Sequence, residues 1–229
     1  MAKIKGNVLG INRGKVGEVL FRKWRGQYIA GSMPTQMGNP NTLAQQIQRA
    51  KLSAMSKFAR GFATGAAIGL KPNYKGTALG WRNYFSKLNW DELDATLAPS
   101  QPVTIDLTKV RLSTGAVPAP SFQSPVFDQG LTLEVSYNAD SGVPGTDSKD
   151  LVYLFAYQAD LNQGLLGEPS QRSEGTAGVK CPAAWSGMKV HLYGFCVKSK
   201  DDIDSQTGIT IFAKGDTSVT TYLGSGNLE

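Results

Sequence analysis

The side chains that most often perform acid–base or nucleophilic chemistry are scarce in this sequence. Its 229 residues include one histidine, His191, and two cysteines, Cys181 and Cys196. His191 lies in the run VHLYGFCV, whose composition predicts a strand covered on both faces, and no nucleophile-elbow motif accompanies it. The cysteines stand far from any second pair and from any histidine cluster, which indicates two ordinary core thiols. We therefore predict no catalytic residue and no enzyme.

Two other patterns suggest phosphate or metal binding, but neither has the spacing that such sites require. Several early glycines resemble a phosphate-binding loop, yet Gly10 and Gly14 enclose three residues where a Walker loop has four. Val16 also stands where the residue after Lys15 would have to be Ser or Thr. The acidic run KSKDDIDSQTG does not match the ligand spacing of an EF-hand. We predict no cofactor and no metal site.

Positive charge with interleaved aromatic rings is the chemistry that the amino-terminal residues do supply. Through Trp90 the chain has 15 Lys or Arg against Glu18 alone, and the remainder has 9 basic and 17 acidic residues, so the two parts carry +14 and −8. This asymmetry indicates either a polyanion at one end or charge-complementary packing between copies. The mixture with Trp24 and Tyr28 suits phosphate contact and base stacking.

We therefore predict a docking surface for nucleic acid or for neighbouring subunits. The alternative is that these cations only keep a helix and a hairpin soluble. The predicted docking residues are Arg13, Lys15, Arg22, Lys23, Trp24, Arg25, Arg49, Lys57 and Arg60.

A β-hairpin is predicted to position the first of these residues. The run KVGEVLFRKWRGQYIA, residues 15–30, has β-branched and aromatic residues on both sides of a turn at Gly26. Alternation places Val19, Phe21 and Lys23 on one face and Leu20, Arg22 and Trp24 on the other. Because a two-stranded ribbon is marginal alone, we expect it to need a partner surface.

Two helices are predicted after the hairpin. In NPNTLAQQIQRAKLSAMSKFARGF, Thr42 and Gln45 form a capping box that begins the first helix. Its apolar face comprises Leu43, Ile47, Ala54, Phe58 and Phe62, and the opposite side is a basic ridge of Gln46, Arg49, Ser53, Lys57 and Arg60. We expect the apolar face to pack on the hairpin or on the second helix, predicted over residues 77–90. Glycines 61, 65 and 69 indicate either a smooth strip for close approach or a fraying helix end.

From about Val103 onward the chain shows six or seven short β-type runs separated by turn residues. Their spacing predicts an immunoglobulin- or fibronectin-like antiparallel β-sandwich. The predicted fold class is α+β: an N-terminal β-hairpin plus two helices, followed by that sandwich. We place the predicted domains at residues 1–99, a basic hairpin-and-helix region, and residues 100–229, the sandwich.

Two long stretches of the sequence carry a resemblance to a known family. The runs GKVGEVLFRKWRGQYIAGSMP and NPNTLAQQIQRAKLSAMSKF resemble an uncharacterised family of Bacteroidetes proteins marked by an Asn-Pro-x-Thr motif, here residues 39–42. The similarity extends to CPAAWSGMKVHLYGFCVKSKDD and TSVTTYLG. A looser similarity links NPxTxxQxxxR helices to phage structural proteins. The family resemblance implies no activity, ligand or catalytic residue.

Charge, predicted fold and resemblance together favour a non-enzymatic structural protein of a phage virion, capsid or capsid/tail-associated, or of a phage-derived particle. We expect it to form homo-oligomers and to contact other virion proteins and DNA or RNA. Alternatives are a host nucleic-acid-binding protein and a surface adhesion module. No stretch approaches the ~20 apolar residues that span a bilayer, and the start predicts no secretory signal, so the expected location is a virion or the bacterial cytoplasm, without membrane contact.

Overall fold

The structure of the protein is a computed structural model with helices and antiparallel sheets. It describes residues 2–4, 13–24, 27–33, 38, 40–74, 79–94, 103–127, 130–139, 142–199 and 215–228. The chain divides into two compact units, Met1–Thr42 and Leu43–Glu229. Among the described residues, no helix combines the length and the hydrophobicity that a bilayer span requires.

The first unit is a four-stranded antiparallel sheet built around the predicted hairpin. Its strands are β1 (Ala2–Ile4), β2 (Gly14–Val16), β3 (Val19–Trp24) and β4 (Gln27–Ser32), arranged in the order β1-β4-β3-β2. A tight turn joins β2 to β3 at Gly17, whose φ of +58° favours glycine. The hairpin prediction is confirmed as β3 and β4, and the partners that this ribbon needs are β1 and β2 at its two edges.

The second unit begins with four helices. They are α1 (Leu43–Gly61), α2 (Ala63–Gly69), α3 (Lys71–Tyr74) and α4 (Trp81–Asn89). The two predicted helices correspond to α1 and α4, and the helical hydrogen bonds continue from α1 into α2 through Phe62. Two residues of the predicted apolar face, Phe58 and Phe62, belong to an apolar cluster with α4, as one of the two expectations had it, and with the sheet that follows. Leu43 of that face is 58% exposed, whereas Met55 and Ala59, which the prediction left out, are buried.

The glycines spaced four residues apart let the helices approach their neighbours closely. A Cβ atom added at Gly61 would lie 2.5 Å from Asn162 Oδ1, and one added at Gly65 would lie 2.8 Å from Phe155 Cδ2. A Cβ atom added at Gly69 would lie 2.5 Å from the Leu112 carbonyl oxygen. Such distances are well inside the van der Waals contact of about 3.5–4.0 Å. The smooth strip is therefore the correct interpretation, and the fraying helix end is wrong because α2 continues to Gly69.

The strands after the helices form three antiparallel sheets. They are β5 (Leu93–Asp94), β6 (Thr104–Ile105), β7 (Ser121–Phe122), β8 (Thr132–Asn138), β9 (Leu151–Gln158), β10 (Gln163–Leu166), β11 (Ser170–Gln171), β12 (Thr176–Lys180), β13 (Lys189–Val197) and β14 (Thr221–Asn227). The five-stranded sheet has the order β10-β9-β13-β14, with β11 also paired to β9. The other two sheets are β12-β8-β7 and β5-β6.

Alternate residues of the central strands β9 and β13 belong to two separate apolar clusters. Val152 and Leu154 join side chains of β8 and β12 in the first cluster, whereas Phe155 and Tyr157 join side chains of α1, α2 and α4 in the second. Both faces of these strands are therefore covered, which explains why they are apolar almost throughout.

The predicted boundary between residues 99 and 100 does not coincide with the division between Thr42 and Leu43. The physical reason is the second apolar cluster, which joins the helices to the five-stranded sheet.

Candidate docking surface

The nine predicted docking residues are divided between the two units. Four are exposed in the first unit: Arg13, Lys15, Arg22 and Lys23. Three are exposed on α1 in the second unit: Arg49, Lys57 and Arg60. Trp24 is the last residue of β3, but its side chain, like Arg25, lies outside the described part of the structure. The predicted docking residues whose side chains the structure describes thus belong to two sets, four in the first unit and three on α1.

Strand register assigns the cations of the first unit to opposite faces of its sheet. Lys23 lies opposite Tyr28, and Phe21 lies opposite Ala30. Because side chains alternate along a strand, Phe21, Lys23 and Tyr28 share one face. We call this the Lys23 face, comprising Val16, Val19, Phe21, Lys23 and Tyr28. The opposite side is the Lys15 face, comprising Lys15, Leu20, Arg22 and Ile29.

The two faces differ in what they leave accessible. Ile29 on the Lys15 face is only 8% exposed, whereas Val16 on the Lys23 face is 66% exposed. Phe21 and Tyr28 are half-buried, and the Lys23 Nζ lies 5.6 Å from the centre of the Tyr28 ring. The Lys23 face therefore presents apolar and aromatic surface directly beside a positive charge.

The net charge of the protein, +6, equals the charge of the first unit. Through Thr42 the chain has seven Lys or Arg and the single acid Glu18, and the remaining residues have 17 basic and 17 acidic side chains. The second unit is neutral because residues 43–90 carry +8 and the residues after them carry −8. A neutral body has little long-range field, whereas the first unit attracts anions over a distance of about one Debye length.

A groove of about 370 Å³ lies beside the basic ridge of α1, lined by Lys57, Phe58, Tyr157 and Asn162 among others. The Asn162 amide Nδ2 donates to the Lys57 carbonyl at 2.8 Å, and Asn162 Oδ1 accepts from the Tyr157 hydroxyl at 2.9 Å. These bonds join the end of α1 to the turn between β9 and β10. The polar groups in the groove thus have a structural role in positioning the ridge.

Acidic side chains border a different part of the second unit. Asp91, Glu92, Asp94 and Asp106 line an open depression of about 600 Å³ together with Lys51 and Lys109. Hydrogen bonds from Thr108, and then the Lys109 ammonium 3.2 Å away, lower the pKa of Asp106. Among the described residues no group of three or more His, Cys, Asp or Glu is arranged to hold a metal ion. The acidic run at residues 201–204 lies outside them.

The side chains first considered for catalysis are buried. Burial, and to a smaller extent the charge of Lys189, lowers the pKa of His191, whose Nδ1 lies 3.1 Å from the Tyr222 hydroxyl. Burial raises the pKa of Cys181 to about 11 and that of Cys196 to about 12. Both cysteines are free and buried, which confirms the prediction of core thiols. Thiols with such pKa values are protonated and unreactive near neutral pH.

Sequence reasoning missed a buried cation, Arg172, which is 1% exposed. Its Nε donates to the Ala139 carbonyl at 2.7 Å, its Nη1 donates to the Pro118 carbonyl at 2.9 Å, and Nη1 lies 4.0 Å from Asp150 Oδ2. These contacts join segments that are distant in sequence, so we assign Arg172 a structural role. A single arginine among turn residues gives no sequence signal of such a network.

Most of the chain matches the model of a protein family. Residues 11–211 match a family model described as "Family of unknown function (DUF6266)", which confirms the expected similarity to an uncharacterised family. The match begins in the first unit and ends in the second. No curated protein and no solved structure matches the chain.

Proposed function

Because the chain belongs to DUF6266, a family of unknown function, we propose a function from its charge and its architecture. The protein is a non-enzymatic structural subunit of a phage virion, capsid or capsid/tail-associated, or of a phage-derived particle. It self-assembles, and its first unit docks on neighbouring subunits or on the genome. The observation that supports this proposal is the division of the chain into a first unit with a charge of +6 and a neutral second unit.

Charge separation of this kind suits assembly from many copies. Neutral bodies can be packed together without accumulating repulsion, whereas a +6 unit needs anions in contact with it. Those anions are nucleic acid phosphates or the acidic depression that Asp91, Glu92, Asp94 and Asp106 line on a neighbouring copy. A contact between a basic unit and an acidic body is heterologous, and it produces rings or shells when its geometry closes.

We also propose that the two larger sheets form the predicted sandwich of immunoglobulin or fibronectin type. The support is the apolar cluster that contains Leu133 and Val135 of one sheet together with Val152 and Leu192 of the other. The helices covering the second face of β9 and β13 are an addition to that architecture. An experimental structure in which these sheets do not face each other across this cluster would contradict the assignment.

The proposed function is tested by the mass and shape of the purified full chain. We expect light scattering and negative-stain microscopy at about 50 mM salt to show a regular assembly that weakens at about 500 mM salt, because screening weakens contacts between exposed charges. A monodisperse monomer at both salt concentrations contradicts the proposal.

Two matched double variants test which unit is responsible for assembly. Arg13→Gln with Lys23→Gln removes two charges from the first unit, and Lys57→Gln with Arg60→Gln removes two from α1. We expect the first pair to reduce assembly at low salt markedly more than the second, because the second unit is neutral as a whole. Equal loss with both pairs would mean that the basic ridge contributes as much as the first unit.

A host nucleic-acid-binding protein is the second candidate function. It is favoured by the aromatic rings and the cation that share the Lys23 face. This candidate predicts a monomer or dimer that binds nucleic acid with a steep salt dependence and forms no particle. The light-scattering measurement distinguishes the two.

A further inference from the structure

The Lys23 face contains two neighbouring aromatic rings. Phe21 and Tyr28 are on adjacent strands, two residue pairs apart along the strand direction, and they are therefore diagonal neighbours on one face. Aromatic side chains at diagonal positions of an antiparallel pair are within reach of each other. Both are half-buried, so the sheet holds the rings while part of each ring surface is accessible.

Lys23 adds an exposed positive charge beside these rings. Its side chain is exposed, and its Nζ lies over the Tyr28 ring at 5.6 Å. An ammonium over an exposed ring is held more weakly than a stacked base, so a base can replace it. The displaced ammonium then lies close to the phosphate attached to that base, where a charge-assisted contact is favourable.

The apolar and aromatic residues of the Lys23 face favour one kind of polyanion over the others. A duplex hides the flat surfaces of its bases, whereas a single strand exposes them for stacking on aromatic side chains. Val16 and Val19 on the same face are 66% and 38% exposed and widen the apolar surface beside the rings. An acidic protein surface would gain from the cations of either face and would make no use of the rings.

From this arrangement we propose that the Lys23 face of the first unit binds single-stranded nucleic acid. Phe21 and Tyr28 stack on successive bases, and Lys23 pairs with a phosphate. The inference rests on the proposed docking role of the first unit and names its ligand as a single strand. The +6 charge of the unit supplies the electrostatic attraction that brings the strand to this face.

Fluorescence anisotropy with the full chain and a labelled oligothymidine of about 20 nucleotides tests the proposal. We expect the single strand to bind more tightly than a duplex of equal length. Tyr28→Ala should weaken single-strand binding by about tenfold, within the range for loss of one stacked base, whereas Tyr28→Phe should stay within about twofold because the ring is kept. Circular dichroism shows whether each variant keeps its fold.

Lys23→Gln and Lys15→Gln form a matched pair, since each removes one exposed cation from the same sheet but from opposite faces. The slope of log affinity against log salt falls by about 0.7 for each lost contact with a single-stranded phosphate. We expect Lys23→Gln to lower the slope by this amount and Lys15→Gln to leave it unchanged. Both lysine variants keep Phe21 and Tyr28, so the salt-dependence measurement remains valid even if Tyr28→Ala unfolds the sheet.

Three results would overturn the inference: no binding of the oligonucleotide, equal slope changes in the two lysine variants, or equal affinities of a folded Tyr28→Ala variant and the original protein. The proposed function is judged separately by assembly. A chain that assembles without binding the strand overturns this inference alone. A chain that binds the strand through Tyr28 but remains monomeric overturns the structural role and supports the inference.

Discussion

The two units differ in how many apolar side chains they bury and in whether their charges balance. Among the described residues of the first unit, Ile29 is the one buried hydrophobic residue, and Val16, Val19 and Met33 are exposed. The second unit buries two apolar clusters on the two faces of one sheet. It also balances its charges, while the first unit keeps a net +6. The comparison indicates that stability resides mainly in the second unit, whereas the docking that we propose belongs to the first.

A large stability difference between equivalent substitutions in the two units would sharpen this comparison. Phe62 is fully buried, and its ring centre lies 4.1 Å from that of Tyr157 and within 6 Å of Phe85, Phe155 and Tyr193. We expect Phe62→Ala to lower the free energy of unfolding by about 3–5 kcal/mol, because it leaves a cavity among four rings. Urea denaturation followed by tryptophan fluorescence measures this change.

Phe21→Ala is the matched control in the first unit. Because Phe21 is half-buried, we expect Phe21→Ala to lower the free energy of unfolding by less than about 1.5 kcal/mol. This is roughly half of the transfer free energy of a fully buried side chain. Equal costs for the two substitutions would show that the first unit contributes to stability as strongly as the second. The comparison between the units would then be wrong.

The glycine strip tests how tightly the second unit is packed. In an exposed helix, replacing glycine by alanine stabilises by about 1 kcal/mol. At Gly69 the added Cβ would meet the Leu112 carbonyl oxygen at 2.5 Å, and a backbone atom cannot move aside as a flexible side chain does. We therefore expect Gly69→Ala to lower the free energy of unfolding by about 1–3 kcal/mol, as other substitutions that overpack a core do.

Thr64→Ala provides the control on the exposed side of the same helix. It should change the free energy of unfolding by less than about 0.5 kcal/mol, as most surface substitutions do. Thermal denaturation of both variants gives the comparison. A Gly69→Ala protein as stable as the Thr64→Ala protein would mean that the helix can shift away from the sheet.

Local patterns predicted the elements of this fold well, and long-range packing defined the rest. The hairpin, α1 and the apolar strand β13 each have a residue pattern that predicts the type of element. The buried face of α1 was predicted only in part, because Leu43 is exposed and Met55 and Ala59 are buried. Periodicity does not show which element covers that face. The second face of β13 is covered by helices that precede it by about a hundred residues, so these helices and the sheet belong to the same compact unit. The pairing of β1 with β4 joins segments too far apart for a turn motif to indicate.

The docking residues show the same limit at the level of side chains. Composition identified the cations, and alternation along β3 placed Phe21 beside Lys23. The position of Tyr28 on that face depends on the register between β3 and β4, which pairs it with Lys23. The charge asymmetry of the whole chain lies partly within one unit, because residues 43–90 and the residues after them together form a neutral unit. The sequence shows how many charges each segment has, but it does not show which segments fold into the same unit.

The smallest expected effect concerns the single titratable group of the second unit that changes charge near neutral pH. His191 is the only histidine in the chain, and burial and Lys189 lower its pKa below its ordinary value of about 6.5. The unfolded chain therefore binds a proton at a higher pH than the folded chain does. Stability should be constant above the unfolded pKa and should fall as the pH decreases through it toward the folded pKa.

A His191→Gln variant separates this contribution from every other titration. The α-amino group also titrates near neutral pH, but it does so equally in both proteins, and carboxylates stay mostly ionised above about pH 5.5. We expect the melting temperature of the original protein to fall between about pH 7.5 and about pH 5.5 and that of the variant to change less. Equal slopes would show that His191 is as easily protonated in the folded protein as in the unfolded chain. The Tyr222 hydroxyl 3.1 Å from its Nδ1 would then stabilise the imidazolium enough to offset burial.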